Sequence, residues 1–168
     1  AVSAFGIATS WYLSIYPFLL NPVFMKKAEE QVALADASMG YDLTWLTDLS
    51  IPLFATFLGL QIAHEAGHRV VAGIYGFNVT LPTFIPSIAS GITSSVTNLK
   101  GPVKNREQLF DFALAGPLTG IIGSLIALYA GLQLTVTSDP ATVALFPALP
   151  LEILRQSSLG GGLIEAVL

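Results

Sequence analysis

Residues 50–75 read SIPLFATFLGLQIAHEAGHRVVAGIY, and this stretch decides the fold. It is apolar through Ala63 and then turns polar for a few residues before it becomes apolar again. Ser50 is a suitable N-cap, and Pro52 falls in the first turn of a helix that starts there, where proline is tolerated. Gly76 follows as a typical C-terminal glycine. The pattern predicts a single apolar helix that carries ionisable groups along its length.

The composition of the whole chain favours a lipid environment. Charged residues make up 11% of the 168 residues, well below the roughly 25% of an ordinary soluble domain. A soluble protein of this size would have difficulty covering its surface with so few charges. The net charge of -4 and the lack of a basic run argue against nucleic acid as a partner. The absence of cysteine excludes disulfides and thiolate metal ligands.

Three apolar segments are long enough to cross a bilayer. A helix of about twenty residues covers roughly 30 Å, which matches the hydrocarbon thickness. The predicted spans are about 1–20, 50–75 and 109–134, and a polar connector over 25–48 separates the first two. The alternative for the first span is a buried helix of a large soluble core. The sequence thus predicts a mainly α, polytopic transmembrane helical domain with about three spans.

Two further patterns concern the second half of the chain. The stretch over about 79–96 is apolar but irregular, and its alternation and turn residues predict a short, membrane-associated β-hairpin. Such backbone is tolerated at membrane depth only where protein covers it or where it lines a wet cavity. In the third span, Gly116, Gly120 and Ser124 recur every four residues. Small residues at that spacing predict that another helix approaches closely.

The polar segment of the second span carries the chemistry. His64-Glu65-Ala66-Gly67-His68 fits the pattern H-E-x-x-H, and its two histidines are the only histidines in the chain. Positions four apart share a face of a helix, so both imidazoles can bind one metal ion. Zinc lowers the pKa of its bound water to about 7, and the adjacent glutamate can take the proton. The motif predicts that His64 and His68 bind Zn²⁺ and that Glu65 is the general base.

The depth of the motif separates this hypothesis from simpler ones. If the helix starts at Ser50 near an interface, His64 lies about 21 Å along its axis, within the apolar layer. Ionisable groups at such depth are costly and mark function by default. The alternatives are an internal hydrogen-bonded cluster or an ion pair between Glu65 and Arg69, its i+4 neighbour.

The third metal ligand is not evident in the sequence. A structural zinc site needs four protein ligands, whereas a catalytic site needs three and keeps one position open. Since the chain has no cysteine and no third histidine, the third ligand must be a carboxylate. Asp111 and Asp139 are candidates, but each lies near the end of a span. We therefore expect the third ligand beyond Leu168.

The motifs together resemble those of the site-2 protease family. The segments that carry the resemblance are Ala63-His64-Glu65-Ala66-Gly67-His68-Arg69 and Phe110-Asp111-Phe112-Ala113-Leu114-Ala115-Gly116-Pro117, with support from Gly161-Gly162-Leu163-Ile164-Glu165-Ala166. Within the family, the chain is most similar to the chloroplast and cyanobacterial group called ethylene-dependent gravitropism-deficient and yellow-green proteins. Residues 1–168 are then expected to be part of one membrane-embedded peptidase domain of a longer protein, because the chain opens on Ala1 without methionine and stops inside an apolar stretch.

The resemblance implies intramembrane proteolysis of a transmembrane protein substrate. It assigns His64 and His68 as zinc ligands and Glu65 as the base, and it places the third ligand in an Asp-Gly motif on a later helix. It also implies that the hairpin pairs with an unwound substrate by strand addition. The expected location is a chloroplast membrane, or a cyanobacterial-type membrane otherwise. The alternatives are a non-catalytic membrane scaffold or chaperone with the same fold and, less well supported, a channel or transporter or a soluble thermolysin-like protease.

Overall fold

The computed structural model describes residues 2–34, 42–87, 91–148, 150, 152 and 156–167. Six helices are described: α1 (Val2–Leu19), α2 (Pro22–Leu34), α3 (Thr44–Tyr75), α4 (Arg106–Thr137), α5 (Pro140–Val143) and α6 (Ser158–Val167). Between α3 and α4 lie four short strands: β1 (Asn78–Val79), β2 (Thr83–Ser87), β3 (Gly91–Val96) and β4 (Leu99–Lys100). The mainly α architecture with a small β element is therefore confirmed.

The helix that carries the H-E-x-x-H motif begins earlier than its sequence suggests. It starts at Thr44 and ends at Tyr75, so the predicted start at Ser50 is wrong by six residues. The Asp42 carboxylate accepts a hydrogen bond from the Thr44 amide (3.0 Å), which starts the helix there. The side chain of Thr44 and then its amide lower the pKa of Asp42. Ser50 is instead buried inside the helix, and its hydroxyl donates to the Thr47 carbonyl (3.4 Å). The predicted end at residue 75 is confirmed, and Gly76 follows with a positive φ of 70°.

Within the part of the chain that the structure describes, two helices are long and apolar enough to cross a membrane, Thr44–Tyr75 and Arg106–Thr137. They contain the predicted spans 50–75 and 109–134, and α4 extends the latter by three residues at each end. The first predicted span, 1–20, is helical from Val2 to Leu19. The count of three spans stays a prediction.

The chain divides into two compact units. The first comprises Ala1–Leu13 and Phe54–Ile126, and it contains all four strands. Strands β2 and β3 pair antiparallel with a register shift between Ile85 and Pro86, and β1 pairs antiparallel with β4. This confirms the predicted hairpin. The α1 segment of this unit lies against β2, because the Phe84 amide donates to the Ser3 hydroxyl (3.3 Å).

The second unit comprises Ser14–Leu53 and Ala127–Leu168. Its aromatic core joins Phe18 to Phe24 and Phe24 to Trp45, with ring centroids 5.4 and 5.2 Å apart. Asn21 ties the turn between α1 and α2 to the chain that follows α5: its side-chain amide donates to the carbonyls of Ala144 (2.7 Å) and Phe146 (2.8 Å). The predicted polar connector over 25–48 includes most of α2, and its residues 35–41 lie outside the described part of the chain.

Candidate metal centre

Helices α3 and α4 approach closely at glycines of both helices. A Cβ atom at Gly67 of α3 would meet the Thr119 side chain and lie 2.5 Å from the Ala115 carbonyl oxygen. A Cβ atom at Gly116 of α4 would collide with the imidazole ring of His68. The Thr119 hydroxyl also donates to the Ala63 carbonyl across the contact (3.1 Å). The absence of side chains at these two glycines brings the H-E-x-x-H segment into direct contact with α4.

The predicted small-residue stripe of α4 is confirmed for two of its three members. Gly116 lies against His68, and Gly120 lies against His64, where a Cβ atom would be 3.5 Å from Nδ1. The third contact belongs to Gly123, next to Leu60, whereas Ser124 donates within its own helix to the Gly120 carbonyl (2.8 Å). Because a helix has about 3.6 residues per turn, Gly123, seven residues after Gly116, lies closer to the face of Gly116 than Ser124, which is eight residues after it.

The two histidines direct ring nitrogens at each other. Nε2 of His64 and Nε2 of His68 are 3.2 Å apart. Nδ1 of His68 lies 2.7 Å from the Phe112 carbonyl oxygen. Because a carbonyl oxygen only accepts, Nδ1 carries the proton, and Nε2 keeps its lone pair. A backbone carbonyl on the other ring nitrogen is the usual way in which a metal-ligating histidine is oriented.

This geometry fits a zinc ion. Two nitrogen ligands at about 2.0–2.1 Å in a tetrahedral arrangement are roughly 3.3 Å apart, close to the observed 3.2 Å. The predicted pairing of His64 and His68 on one helical face is thus present in the structure. Among the described residues, however, no three His, Asp or Glu side chains come together as a metal-binding group.

The glutamate of the motif is buried beside this pair. Glu65 is 4% exposed, and its two carboxylate oxygens accept hydrogen bonds from the hydroxyls of Ser95 and Thr97. Glu65, His68, Ser95 and Thr97 line one cleft of about 390 Å³. Of the two simpler interpretations, a hydrogen-bonded cluster does form at Glu65. The ion pair between Glu65 and Arg69 does not form between these two described residues, and Arg69 donates to the Thr80 carbonyl (3.4 Å).

The two in-chain candidates for the third ligand have other partners. The Asp111 carboxylate accepts a hydrogen bond from the Tyr75 hydroxyl. Asp139 caps α5, where it accepts bonds from the Thr142 amide (3.0 Å) and hydroxyl (2.6 Å). Those bonds lower the pKa of Asp139, because they stabilise its ionised carboxylate. The expectation that the third ligand is neither of these carboxylates stays a prediction.

Three residues of the site were not identified from the sequence: Ser95, Thr97 and Phe112. Ser95 was assigned only to the apolar but irregular stretch over 79–96, and Thr97 lies just after that stretch. Their spacing of two residues, which places both on one face of an extended chain, is the signal that could have found them. Phe112 contributes through its backbone carbonyl, for which the sequence offers no signal. Its ring also packs on His68, with centroids 4.9 Å apart.

A helical H-E-x-x-H motif with converging ring nitrogens and a buried glutamate is the arrangement of zinc metalloproteases. The curated relatives of the chain are named as such. It is 33% identical over 169 residues to "Probable zinc metalloprotease EGY2, chloroplastic" of Oryza sativa subsp. indica, covering 100% of this chain and 28% of that protein. It is 33% identical over 94 residues to the EGY1 protein of Arabidopsis thaliana, covering 56% and 17%, and 29% identical over 119 residues to EGY1 of Oryza sativa subsp. japonica, covering 71% and 20%.

These relatives confirm the predicted resemblance to the chloroplast group. The chain spans less than a third of the length of the relatives that it matches. No protein-family model matches the chain. No solved structure matches it either.

Proposed function

We propose that this chain is part of an intramembrane zinc endopeptidase of the site-2 protease type. The observation that carries the proposal is the 3.2 Å approach of the two Nε2 atoms of His64 and His68, with Glu65 buried beside them. The names of the relatives support a proteolytic role and zinc as the metal. Their chloroplastic location supports a chloroplast or cyanobacterial-type membrane as the site of action.

The exposure of the two long helices supports the membrane part of this proposal. In the most apolar 18-residue stretch of α3, only 6% is buried inside the protein, and the corresponding share in α4 is 11%. The core helix of a soluble protein would be mostly buried instead. Exposed apolar side chains on both helices, among them Ile62, Ile74 and Ile126, would then face lipid. The H-E-x-x-H motif would lie within the apolar layer, where a substrate helix is cleaved.

The residues of the chain have separate roles in the proposed mechanism. His64 and His68 hold the metal, and the Phe112 carbonyl keeps His68 in the tautomer with a free Nε2. Zinc, when bound, supplies the Lewis acidity that makes water a nucleophile at neutral pH and polarises a peptide carbonyl. Glu65 accepts the proton of the attacking water at its carboxylate and delivers it to the leaving amine. The third ligand is proposed to be an aspartate of the full-length protein outside residues 1–168.

The test is cleavage of a model transmembrane substrate by the full-length protein in liposomes, with zinc content measured on the same samples. We expect the wild type to cut, and Glu65→Gln to retain zinc but not to cut, because the amide cannot accept a proton. Glu107→Gln is the matched control, since Glu107 is an exposed glutamate in the first turn of α4. It is expected to cut like the wild type.

The outcomes separate the proposal from a non-catalytic scaffold or chaperone. If neither wild type nor control cuts a range of substrates and neither retains metal, the scaffold function replaces the enzyme. If Glu65→Gln cuts at the wild-type rate, Glu65 is not the base and the mechanism is wrong.

A further inference from the structure

The carboxylate of Glu65 is held by an element other than the helix that carries it. Ser95 donates to Oε1 and Thr97 donates to Oε2, so each oxygen has its own hydroxyl partner. Ser95 lies in β3, and Thr97 follows directly after that strand. Side chains two residues apart in an extended segment lie on the same face. The hairpin therefore presents two hydroxyls, at the natural spacing of a strand, to the two oxygens of one carboxylate.

This arrangement does more than satisfy a buried group. A glutamate side chain turns about three single bonds, so its Cα position in α3 does not fix where the carboxylate points. Because Glu65 is only 4% exposed, few water molecules can compete with these two hydroxyls for its carboxylate. Arg69, the nearest cation on the same face of α3, donates to the Thr80 carbonyl instead. The orientation of the Glu65 carboxylate in the cleft that it shares with His68 thus depends on the hairpin.

We propose that Ser95 and Thr97 are positioning residues that hold Glu65 for its role as general base, so that the hairpin and the base are coupled. This inference rests on the proposed function. If the hairpin moves relative to α3, the hydroxyls of Ser95 and Thr97 move with it. The Glu65 carboxylate then either reorients with these hydroxyls or loses its hydrogen bonds to them. Hydrogen-bonding partners of residues at a metal centre typically affect activity about 10- to 100-fold, and we expect an effect of that order here.

The variants are Ser95→Ala, Thr97→Val and the double variant in the full-length protein, with Thr97→Ser as the conservative rescue. Matched controls are Ser124→Ala and Thr135→Val, whose hydroxyls donate within α4 to the carbonyls of Gly120 (2.8 Å) and Gly131 (2.9 Å). We expect kcat to fall about 10- to 100-fold in the double variant, with KM and zinc content unchanged. Thr97→Ser should restore most of the loss at that position, and both controls should keep wild-type kcat.

A second readout does not depend on activity. The infrared carboxylate stretch of Glu65, isolated as the difference between wild type and Glu65→Gln, should shift when either hydroxyl is removed and return in Thr97→Ser. An unshifted band in the double variant overturns the inference, whether or not the protein cuts. So does a wild-type kcat in the double variant, or a loss of kcat that follows loss of zinc. Failure of the proposed function has a different signature: either the wild type itself does not cut, or Glu65→Gln cuts as well.

Discussion

Gly116→Ala is the substitution whose effect the structure defines most sharply. The added Cβ atom would meet Nε2 of His68 and lie 2.6 and 2.7 Å from Cδ2 and Cε1 of the same ring. Carbon atoms in contact are normally about 3.5–4.0 Å apart, so the ring must retreat by roughly 1 Å or the helices must separate. The ring cannot retreat freely, because its Nδ1 donates to the Phe112 carbonyl at 2.7 Å.

Two costs follow from this collision. Overpacking of a close contact destabilises a protein by about 1–3 kcal/mol. A shift of the ring by more than about 0.5 Å also takes Nε2 out of the productive geometry of a site. Loss of the hydrogen bond that orients a metal-ligating histidine typically costs about 10- to 100-fold in metal affinity. Gly116→Ala is therefore expected to lower both thermal stability and zinc affinity.

The assay is zinc affinity by competition with a chelator, together with thermal unfolding, on the full-length protein in detergent. Gly131→Ala is the control in the same helix, because nothing lies within 4 Å of its Cβ position. It should be neutral or stabilising by about 0.5–1 kcal/mol, since alanine is the better helix former. Gly120→Ala should lie between the two, because its Cβ would be at an ordinary 3.5 Å from His64. Wild-type zinc affinity and stability in Gly116→Ala would refute the reasoning.

Three further predictions concern other contacts of the fold. Gly67→Ala should lower the free energy of unfolding by at least about 1–3 kcal/mol, because the added Cβ would meet the backbone of Ala115, which cannot move aside as a side-chain ring can. Thermal unfolding checks this, with Gly73→Ala as the control because nothing lies within 4 Å of its Cβ position. Asn21→Ala should cost about 1–3 kcal/mol, since two carbonyls lose their donor; a loss below a few tenths in chemical unfolding would contradict it. The pKa of Asp139, measured by NMR, should lie below its ordinary 3.8. Its cap contributes stability above that value and loses it as pH falls through the lowered pKa, a dependence that Asp139→Asn should abolish.

The site was predictable from the sequence to the extent that its contacts are local. The spacing of His64 and His68 follows from helical geometry, so their convergence needed no tertiary information. The face of α4 that meets them was also visible, because Gly116 and Gly120 share a side of the helix. The position of Glu65 in an apolar segment also marked it as a functional residue.

What the sequence left open depends on long-range contacts and on competing local signals. Thirty or more residues separate Ser95 and Thr97 from Glu65, and no period links a strand to a helix. Tyr75 is similarly distant from Asp111, so the hydrogen bond that engages this carboxylate was not foreseeable. The early start of α3 was missed for a local reason. The polar residues after Asp42 were assigned to the connector, although the Asp42 side chain can start a helix by accepting from the Thr44 amide.

The contact between α1 and β2 gives the hairpin two unequal edges. The alternate positions 82, 84 and 86 of this segment include two prolines, Pro82 and Pro86, which have no amide hydrogen. The third, Phe84, already donates its amide to Ser3. None of these three positions therefore has a free amide with which to template another strand, and prolines in an edge strand are a common protection against edge-to-edge association. We therefore expect a segment that extends the sheet to add along β3, the strand whose end holds Glu65.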